Sequence, residues 1–115
     1  MSSIEFLALL AAVGHPQRLR IIAALAERRM YISELARRLG MSRPLLYMHL
    51  DRLEKVGLVE GSLDLSEDGR ALRYFELVEF ELDVDVETIL AAVRSDEEQG
   101  AVEPASKDEE PPPGP

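Results

Sequence analysis

The residues best suited to chemistry in this 115-residue chain lie in a helical segment between Gly40 and Gly57. Arg43 is placed near the start of that helix, where a guanidinium can bind a phosphate or pair bidentately with guanine. Tyr47 can donate a hydrogen bond to a phosphate, and Met48 can contact a thymine methyl group. The chemistry that these side chains offer is recognition of a nucleic acid, in which no covalent bond is made or broken.

The sequence shows no pattern of residues that is typical of a catalytic site or of a metal site. The chain has no cysteine, which removes disulfides, thiolate metal sites and cysteine nucleophiles together. No nucleophile and base pair, glycine-rich phosphate loop or metal-ligand spacing is present. We therefore expect no enzyme activity, no cofactor and no bound metal.

Charge is strongly segregated along the chain, whose net charge is −9. Residues 15–58 hold nine basic and four acidic side chains, a net charge of +5, whereas residues 95–115 carry a net charge of −6. The basic block coincides with the helices that would meet a polyanion. The predicted nucleic-acid contacts are Ser42, Arg43, Pro44, Tyr47, Met48, Arg52, Lys55, Arg37, Arg38, Arg70 and Arg73. Each arginine could instead be an ordinary solvated surface residue, and Tyr47 and Met48 could instead be core residues, with no contact to a nucleic acid.

The elements that position these residues form a helix-turn-helix signature. Ser33 is the predicted N-cap of a short helix, Glu34 to Leu39, which Gly40 would end. Ser42 is the N-cap of the next helix, which runs to about Val56. Helical periodicity buries one face of this second helix, formed by Leu46, His49, Leu50 and Leu53. We interpret His49 as a hydrogen-bonded structural histidine, because a lone histidine has no partner ligand nearby.

The helices predicted on either side of this signature carry more apolar surface than one small domain can bury. Residues 3–13 are apolar nearly all round, so one face of that helix is expected to meet a second subunit. A helix from Pro16 to about Glu27 follows. Its predicted inward residues are Leu19, Ile22, Ala23 and Ala26. A last helix, after Asp83 or Asp85, places its own apolar stripe on a second candidate dimer surface. The predicted dimer contacts are Ile4, Phe6, Leu7, Leu10, Val86, Ile89, Leu90 and Val93.

Between these helices the period of apolar residues changes from 3.6 towards 2. A β-hairpin, or wing, is predicted there, with its second strand within Arg70 to Leu82 and its turn at residues 66–69. The predicted architecture is mainly α with a β-hairpin wing. Residues 1–94 would form one winged-helix domain with a dimerisation helix at each end, and residues 95–115 a disordered tail rich in acid and proline.

The start of the chain indicates a cytoplasmic protein. No basic residue precedes its apolar run and Glu5 lies within it, so a signal peptide is not expected. No apolar stretch approaches the roughly 20 residues that a membrane span needs.

The stretch from His15 to Leu82 resembles the ArsR family of winged-helix repressors. "GHPQRLRIIAAL" is similar to the family's second helix, "ISELARRLGMSRPLLYMHLDRLEKVGLV" to its helix-turn-helix, and "DGRALRYFEL" to its wing. The resemblance implies a homodimer built from the first and last helices, with the helix from Arg43 to Val56 in the major groove of double-stranded DNA. Two such helices about 34 Å apart would require a roughly palindromic operator.

The sequence also departs from the family's pattern. Metal-sensing members carry cysteines beside the first helix of the motif, or His and acidic ligands in the last helix. Here "YISELARR" has no Cys and "VETILAAVRS" has no His, so neither kind of metal sensing is expected.

The surface that would read bases is poor in hydrogen-bond donors. Pro44 and Leu45 offer none, and Asp51 places a negative charge on the exposed side of the helix. We therefore expect phosphate contacts to dominate the affinity and sequence discrimination to be modest. The alternative is a winged helix that binds a protein instead of DNA, through the outward Leu45 and Met48.

Overall fold

The computed structural model describes residues 1–100. Its helices are α1 (Ser3–Val13), α2 (Pro16–Glu27), α3 (Ile32–Leu39), α4 (Arg43–Lys55) and α5 (Val86–Glu98). Its strands are β1 (Met30–Tyr31), β2 (Val59–Leu65) and β3 (Ala71–Leu77), which form an antiparallel sheet in the order β1-β3-β2. Ala8–Leu82 form one compact unit, which contains the helix-turn-helix and the wing. Residues 1–7 and 83–100 belong to a second unit.

Helix α4 agrees with its sequence signals. Ser42 is the N-cap, and its hydroxyl oxygen accepts a hydrogen bond from the backbone N–H of Leu45 at 3.3 Å. The predicted inner face is confirmed, because all four of its residues are buried: Leu46, His49, Leu50 and Leu53. The turn before α4 is closed by Gly40, whose φ of 65° lies in the left-handed region that favours glycine. The backbone N–H of Met41 donates to the carbonyl of Ala36 across that turn, which closes the C-terminal end of α3.

Helix α3 begins before its predicted cap. Ile32 is its first residue and Tyr31 its N-cap without a side-chain hydrogen bond, so the prediction that Ser33 caps the helix is wrong. The reason is strand β1, where Met30 and Tyr31 pair with Phe75 and Tyr74 of β3. Because the chain leaves the sheet at Tyr31, the helix starts directly afterwards and Ile32 is buried.

The buried stripe of α2 differs from the predicted one, of which Ile22 does pack against the core. The buried residues are Arg18, Ile21, Ala24 and Leu25. Leu19, predicted to face inward, is 56% exposed, and Ala23 and Ala26 are exposed as well. An arginine occupies the buried stripe because its guanidinium finds hydrogen-bond partners there. These include the carbonyls of Ala11 and Ala12, the last turn of α1.

The wing is the hairpin of β2 and β3, with Leu65 paired to Ala71 next to the turn. Strand β3, Ala71–Leu77, lies within the predicted segment Arg70 to Leu82 and leaves its last five residues outside the sheet. Strand β1 was not predicted, because two residues are too few to show a period of 2.

Helix α5 extends beyond the boundary predicted for the tail. It begins after Asp85, whose carboxylate accepts a hydrogen bond from the Thr88 N–H at 2.7 Å, and runs to Glu98. Within the second unit, Asp96 is 2% exposed and accepts hydrogen bonds from the Ser3 N–H at 3.0 and 3.1 Å. It also bonds the Ser3 hydroxyl. The prediction of disorder from residue 95 is therefore wrong for residues 95–98, and its part at 101–115 lies outside the described residues.

Candidate nucleic-acid interface

The first turns of α4 present the central predicted contacts together. Ser42, Arg43 and Pro44 are exposed, and Met48, one turn further along, is 46% exposed. Among residues 1–100, Arg43 has no ion-pair partner. The N-terminal half of the helix therefore carries an exposed guanidinium without an ion pair and an exposed apolar thioether.

Tyr47 does not share that exposed position. It is half-buried and packs against the core, and its ring meets that of Phe75 edge to face with the centroids 6.3 Å apart. The guanidinium carbon of Arg73 lies 5.5 Å from the centre of the Tyr47 ring and 5.2 Å from that of Phe75. The core position that was the alternative for Tyr47 therefore applies in part, because Phe75 and Arg73 cover its ring. Sequence reasoning placed Tyr47 and Arg73 on separate elements and missed their cation–π contact.

Gly61 makes room for this aromatic cluster. A Cβ at this position of β2 would lie 2.7 Å from Cε1 of Phe75 and 3.2 Å from Nη2 of Arg73. Any larger residue would displace the two side chains that hold Tyr47. The signal available in the sequence was an isolated glycine inside a strand, which indicates a close approach of neighbouring atoms.

The other predicted phosphate contacts of the helix-turn-helix and wing tip lie at the surface, and two of them are paired with a carboxylate. Arg37, Arg52 and Arg70 are exposed. Arg38 forms an ion pair with Glu27, and Lys55 pairs with Asp51 at 3.1 Å. Exposed ion pairs of this kind contribute only about 0–1 kcal/mol, so a phosphate can replace either carboxylate at low cost.

The turn of the wing, residues 66–69, carries two acids, Glu67 and Asp68. The hydroxyl of Ser66 and the backbone N–H of Arg70 hold the pKa of Asp68 below its usual value. Asp68 therefore stays ionised at neutral pH next to Arg70, where it reduces the attraction of the tip for a polyanion.

His49 lies beneath this surface and is 2% exposed. Its Nδ1 is 3.0 Å from Nη1 of Arg18, and its ring centre is 4.7 Å from that of His15. Burial lowers the pKa of His49, and the positive charges of His15, Arg18 and Arg52 lower it further. The predicted burial and hydrogen bonding of this histidine are confirmed.

Exposed apolar side chains are concentrated on α1 and α5 in the second unit. The predicted dimer contacts that are exposed are Ile4, Leu7, Val86, Ile89, Leu90 and Val93. Phe6 was predicted to join them, but it is only 5% exposed and is already covered within the chain. Leu10 is half-buried. Helix α1 therefore exposes a narrower apolar stripe than its sequence suggested.

Two further features bear on function. Within residues 1–100, no group of three or more His, Asp or Glu side chains is arranged to hold a metal ion. In the same part of the chain, no helix has the length and apolar character to cross a membrane.

The helix-turn-helix of α3 and α4, followed by the β2–β3 hairpin, defines a winged-helix protein of the kind that regulates transcription. The profile of the bacterial regulatory protein, arsR family, matches residues 15–61. An HTH-type transcriptional regulator from Methanocaldococcus jannaschii is 38% identical over 89 residues, which cover 77% of this chain and 93% of that protein. The chain belongs to the ArsR family of transcription regulators, as its sequence predicted.

Solved structures of the same fold agree with this assignment. HlyU from Vibrio cholerae aligns with a TM-score of 0.57 and 27% identity, over 77% of this chain and 91% of that one. NolR from Sinorhizobium fredii aligns with a TM-score of 0.58 and 26% identity, over 87% and 89%. The transcriptional repressor BigR from Xylella fastidiosa aligns with a TM-score of 0.56 and 28% identity, over 67% and 74%.

Proposed function

We propose that this chain is a homodimeric repressor that binds double-stranded DNA with the N-terminal half of α4 in the major groove. The observation that carries the proposal is that Arg43 and Met48 are both exposed on a helix whose inner face is filled by core residues. A helix held in this way presents a rigid face of the width that the major groove accepts. Repression is inferred from the likeness to BigR, which is described as a repressor.

Phosphate contacts surround this central pair in the proposal. Arg37, Arg38, Arg52 and Lys55 supply positive charge from the helix-turn-helix, and Arg70 and Arg73 from the wing. Because Arg73 also stacks on Tyr47, the wing would position the Tyr47 hydroxyl for a phosphate. Ser42 and Pro44 would lie against the DNA backbone at the start of the helix. With so few base-reading donors, sequence discrimination would be modest.

The dimer would form through the exposed apolar residues of α1 and α5. Four of them lie on one stripe of α5: Val86, Ile89, Leu90 and Val93. A stripe of this length left in water is unusual for a helix of a monomeric protein, and a second copy of the same stripe would cover it.

DNA binding is tested by fluorescence anisotropy with duplex fragments from the region upstream of the protein's own gene. Arg43→Ala should weaken binding at least tenfold, about 1.4 kcal/mol, because a bidentate or phosphate contact is lost. Arg29→Ala is the control: it removes an exposed arginine outside the proposed surface, although one whose guanidinium carbon lies 4.3 Å from the centre of the Tyr74 ring. Equal affinities of the Arg43→Ala variant and the unaltered protein would contradict the major-groove assignment.

A protein-binding role remains the alternative, because Leu45 and Met48 are both exposed on α4. The salt dependence of binding separates the two functions. Each neutralised phosphate makes the slope of log affinity against log salt concentration more negative by about 0.9. If the chain binds a protein and not DNA, it will show no such salt-dependent binding of duplex DNA. Absence of duplex binding in dilute buffer would favour the alternative.

A further inference from the structure

A groove of about 480 Å³ lies among α1, α2 and α4 in the unit Ala8–Leu82. Ala8, Ala11 and Ala12 of α1 line it together with Val56 at the end of α4. These small side chains give the groove an apolar wall. Its volume falls in the range of about 300–1,000 Å³ that is typical of sites for small molecules.

Arg18 also lines the groove and is 8% exposed. Its Nε donates to the carbonyl of Ala12 at 2.5 Å, its Nη2 to that of Ala11 at 3.1 Å, and its Nη1 lies 3.0 Å from His49. Within residues 1–100, no carboxylate forms an ion pair with this guanidinium. These contacts use three of its five N–H groups, and a buried cation is normally compensated by an anion.

Two further cations from α4, Arg52 and Lys55, line the same groove. The acid among the lining residues is Asp51, which is paired to Lys55 at 3.1 Å. The lining residues therefore carry a net charge of +2. Burial lowers the pKa of Arg18, and the charge of Arg52 lowers it further. A negative charge bound here would relieve that repulsion.

We propose that this groove binds a small organic anion, a carboxylate on a short aliphatic or aromatic body. The carboxylate would be held by Arg18, Arg52 and Lys55, and the apolar body would lie on the alanine wall of α1. A carboxylate is matched to guanidinium groups by its two oxygens. The apolar wall distinguishes such a ligand from an inorganic anion.

Occupancy of the groove would oppose DNA binding. The anion would neutralise Arg52 and Lys55, which are proposed phosphate contacts, and would contact Met48, which also lines the groove. This coupling rests on the proposed function, whereas binding of the anion does not. The regulator would then respond to the concentration of an organic acid.

Binding is tested without DNA, by amide chemical-shift titration of the full chain with hexanoate. We expect saturable shifts at Ala8–Ala12, Arg18 and Met48–Val56, and none of comparable size with acetate or hexylammonium. Acetate lacks the apolar body and hexylammonium reverses the charge. Equal responses to hexanoate and hexylammonium, or shifts centred on the apolar stripe of α5, would overturn the proposal.

Variants test each half of the site. Arg52→Gln with Lys55→Gln should weaken hexanoate binding roughly tenfold, because charge-assisted hydrogen bonds are lost. Ala11→Leu, which fills the groove without changing its charge, should weaken it as well. Arg29→Gln removes an exposed charge that does not line the groove and should leave binding unchanged. Unaltered affinity in both groove variants would refute the assignment.

The coupling is tested by DNA anisotropy in hexanoate and in chloride at equal ionic strength. Hexanoate should weaken DNA binding by about fivefold or more. If hexanoate binds in the groove and DNA affinity does not change, the site stands and the coupling is refuted. If the chain does not bind DNA at all, the titration without DNA still decides whether the site exists.

Discussion

His49 is buried in contact with Arg18, so its protonation depends on whether the chain is folded. Burial and the neighbouring positive charges of His15, Arg18 and Arg52 all lower the pKa of His49. The neutral ring is therefore the form compatible with the native structure. A group whose protonation depends on pH therefore lies on the buried face of α4, the helix proposed to enter DNA.

The stability of the fold should fall as the pH drops below the ordinary histidine pKa of 6.5. The native pKa of His49 is depressed, so the unfolded chain binds more protons below pH 6.5 and is favoured there. Its contribution to stability is fully present above pH 6.5 and is lost towards the native pKa. Thermal unfolding between pH 7.5 and 5.5 measures this decline.

The matched control for the pH experiment is His49→Gln, which keeps a polar side chain that does not titrate. We expect this variant to be less stable at pH 7.5 and to show a flatter pH profile over the same range. An identical profile in both proteins would mean that His49 does not produce the dependence.

At the scale of elements, the cluster of Phe75, Arg73 and Tyr47 joins the wing to α4. Edge-to-face rings and a guanidinium over them form one packed group across two elements. The absence of a side chain at Gly61 is what permits it. The wing therefore orients a helix residue proposed to contact DNA.

Replacement of Gly61 by alanine should destabilise the fold by about 1–3 kcal/mol, because its Cβ would overlap the ring of Phe75 and force repacking. Chemical denaturation measures the change. Ser62→Ala, at the next and exposed position of β2, is the control and should differ little from the unaltered chain. A Gly61→Ala variant of equal stability would show that the cluster tolerates the added methyl group.

Elements were predicted well where capping residues, glycines and the period of apolar residues agreed with one another. Helix α4 was predicted correctly, because Ser42, Gly57 and a regular apolar period all agree with its structure. Helix α3 was misplaced at its start, because the pairing of β1 with β3 depends on residues more than forty positions apart. The local period of apolar residues cannot predict a pairing between segments so far apart in the sequence.

The candidate site shows the same limit. Arg43 and Met48 were correctly placed outside, because the helix that carries them has one clear buried face. Tyr47 was misplaced, since its environment is made by β3 and not by its own helix. Arg18 was not among the predicted inward residues of α2, although it is buried. Its burial depends on free carbonyls at the end of α1, which only the packed structure supplies.

At the scale of the whole molecule, the proposed dimer leads to a direct prediction. Leu90→Asp places a charge in the middle of the exposed α5 stripe and should weaken self-association more than tenfold, because the charge would be buried without a partner. Sedimentation velocity over a range of concentrations measures it. Leu63→Asp, at an exposed apolar position on the wing, should leave the oligomeric state unchanged. A monomeric unaltered protein would refute the dimer itself.

The acidic C-terminal residues allow a prediction about long-range charge. Residues 101–115 carry four acids and one lysine, a net charge of −3. Their deletion should leave DNA affinity equal or make it tighter, because it removes negative charge from a protein that binds a polyanion. The cut must follow Gly100, because removing Asp96 would also break its bonds to Ser3. Weaker DNA binding after this deletion would contradict the electrostatic argument.

The hydrogen bonds between Asp96 and Ser3 also limit where residues can be inserted into or deleted from α5. One residue inserted between Val93 and Asp96 would turn the carboxylate by about 100° around the axis of α5, away from Ser3. The same insertion after Glu98 would leave both the carboxylate and the apolar stripe in place. Insertions and deletions among natural variants of this protein should therefore be rare before Asp96 and common beyond the end of the helix.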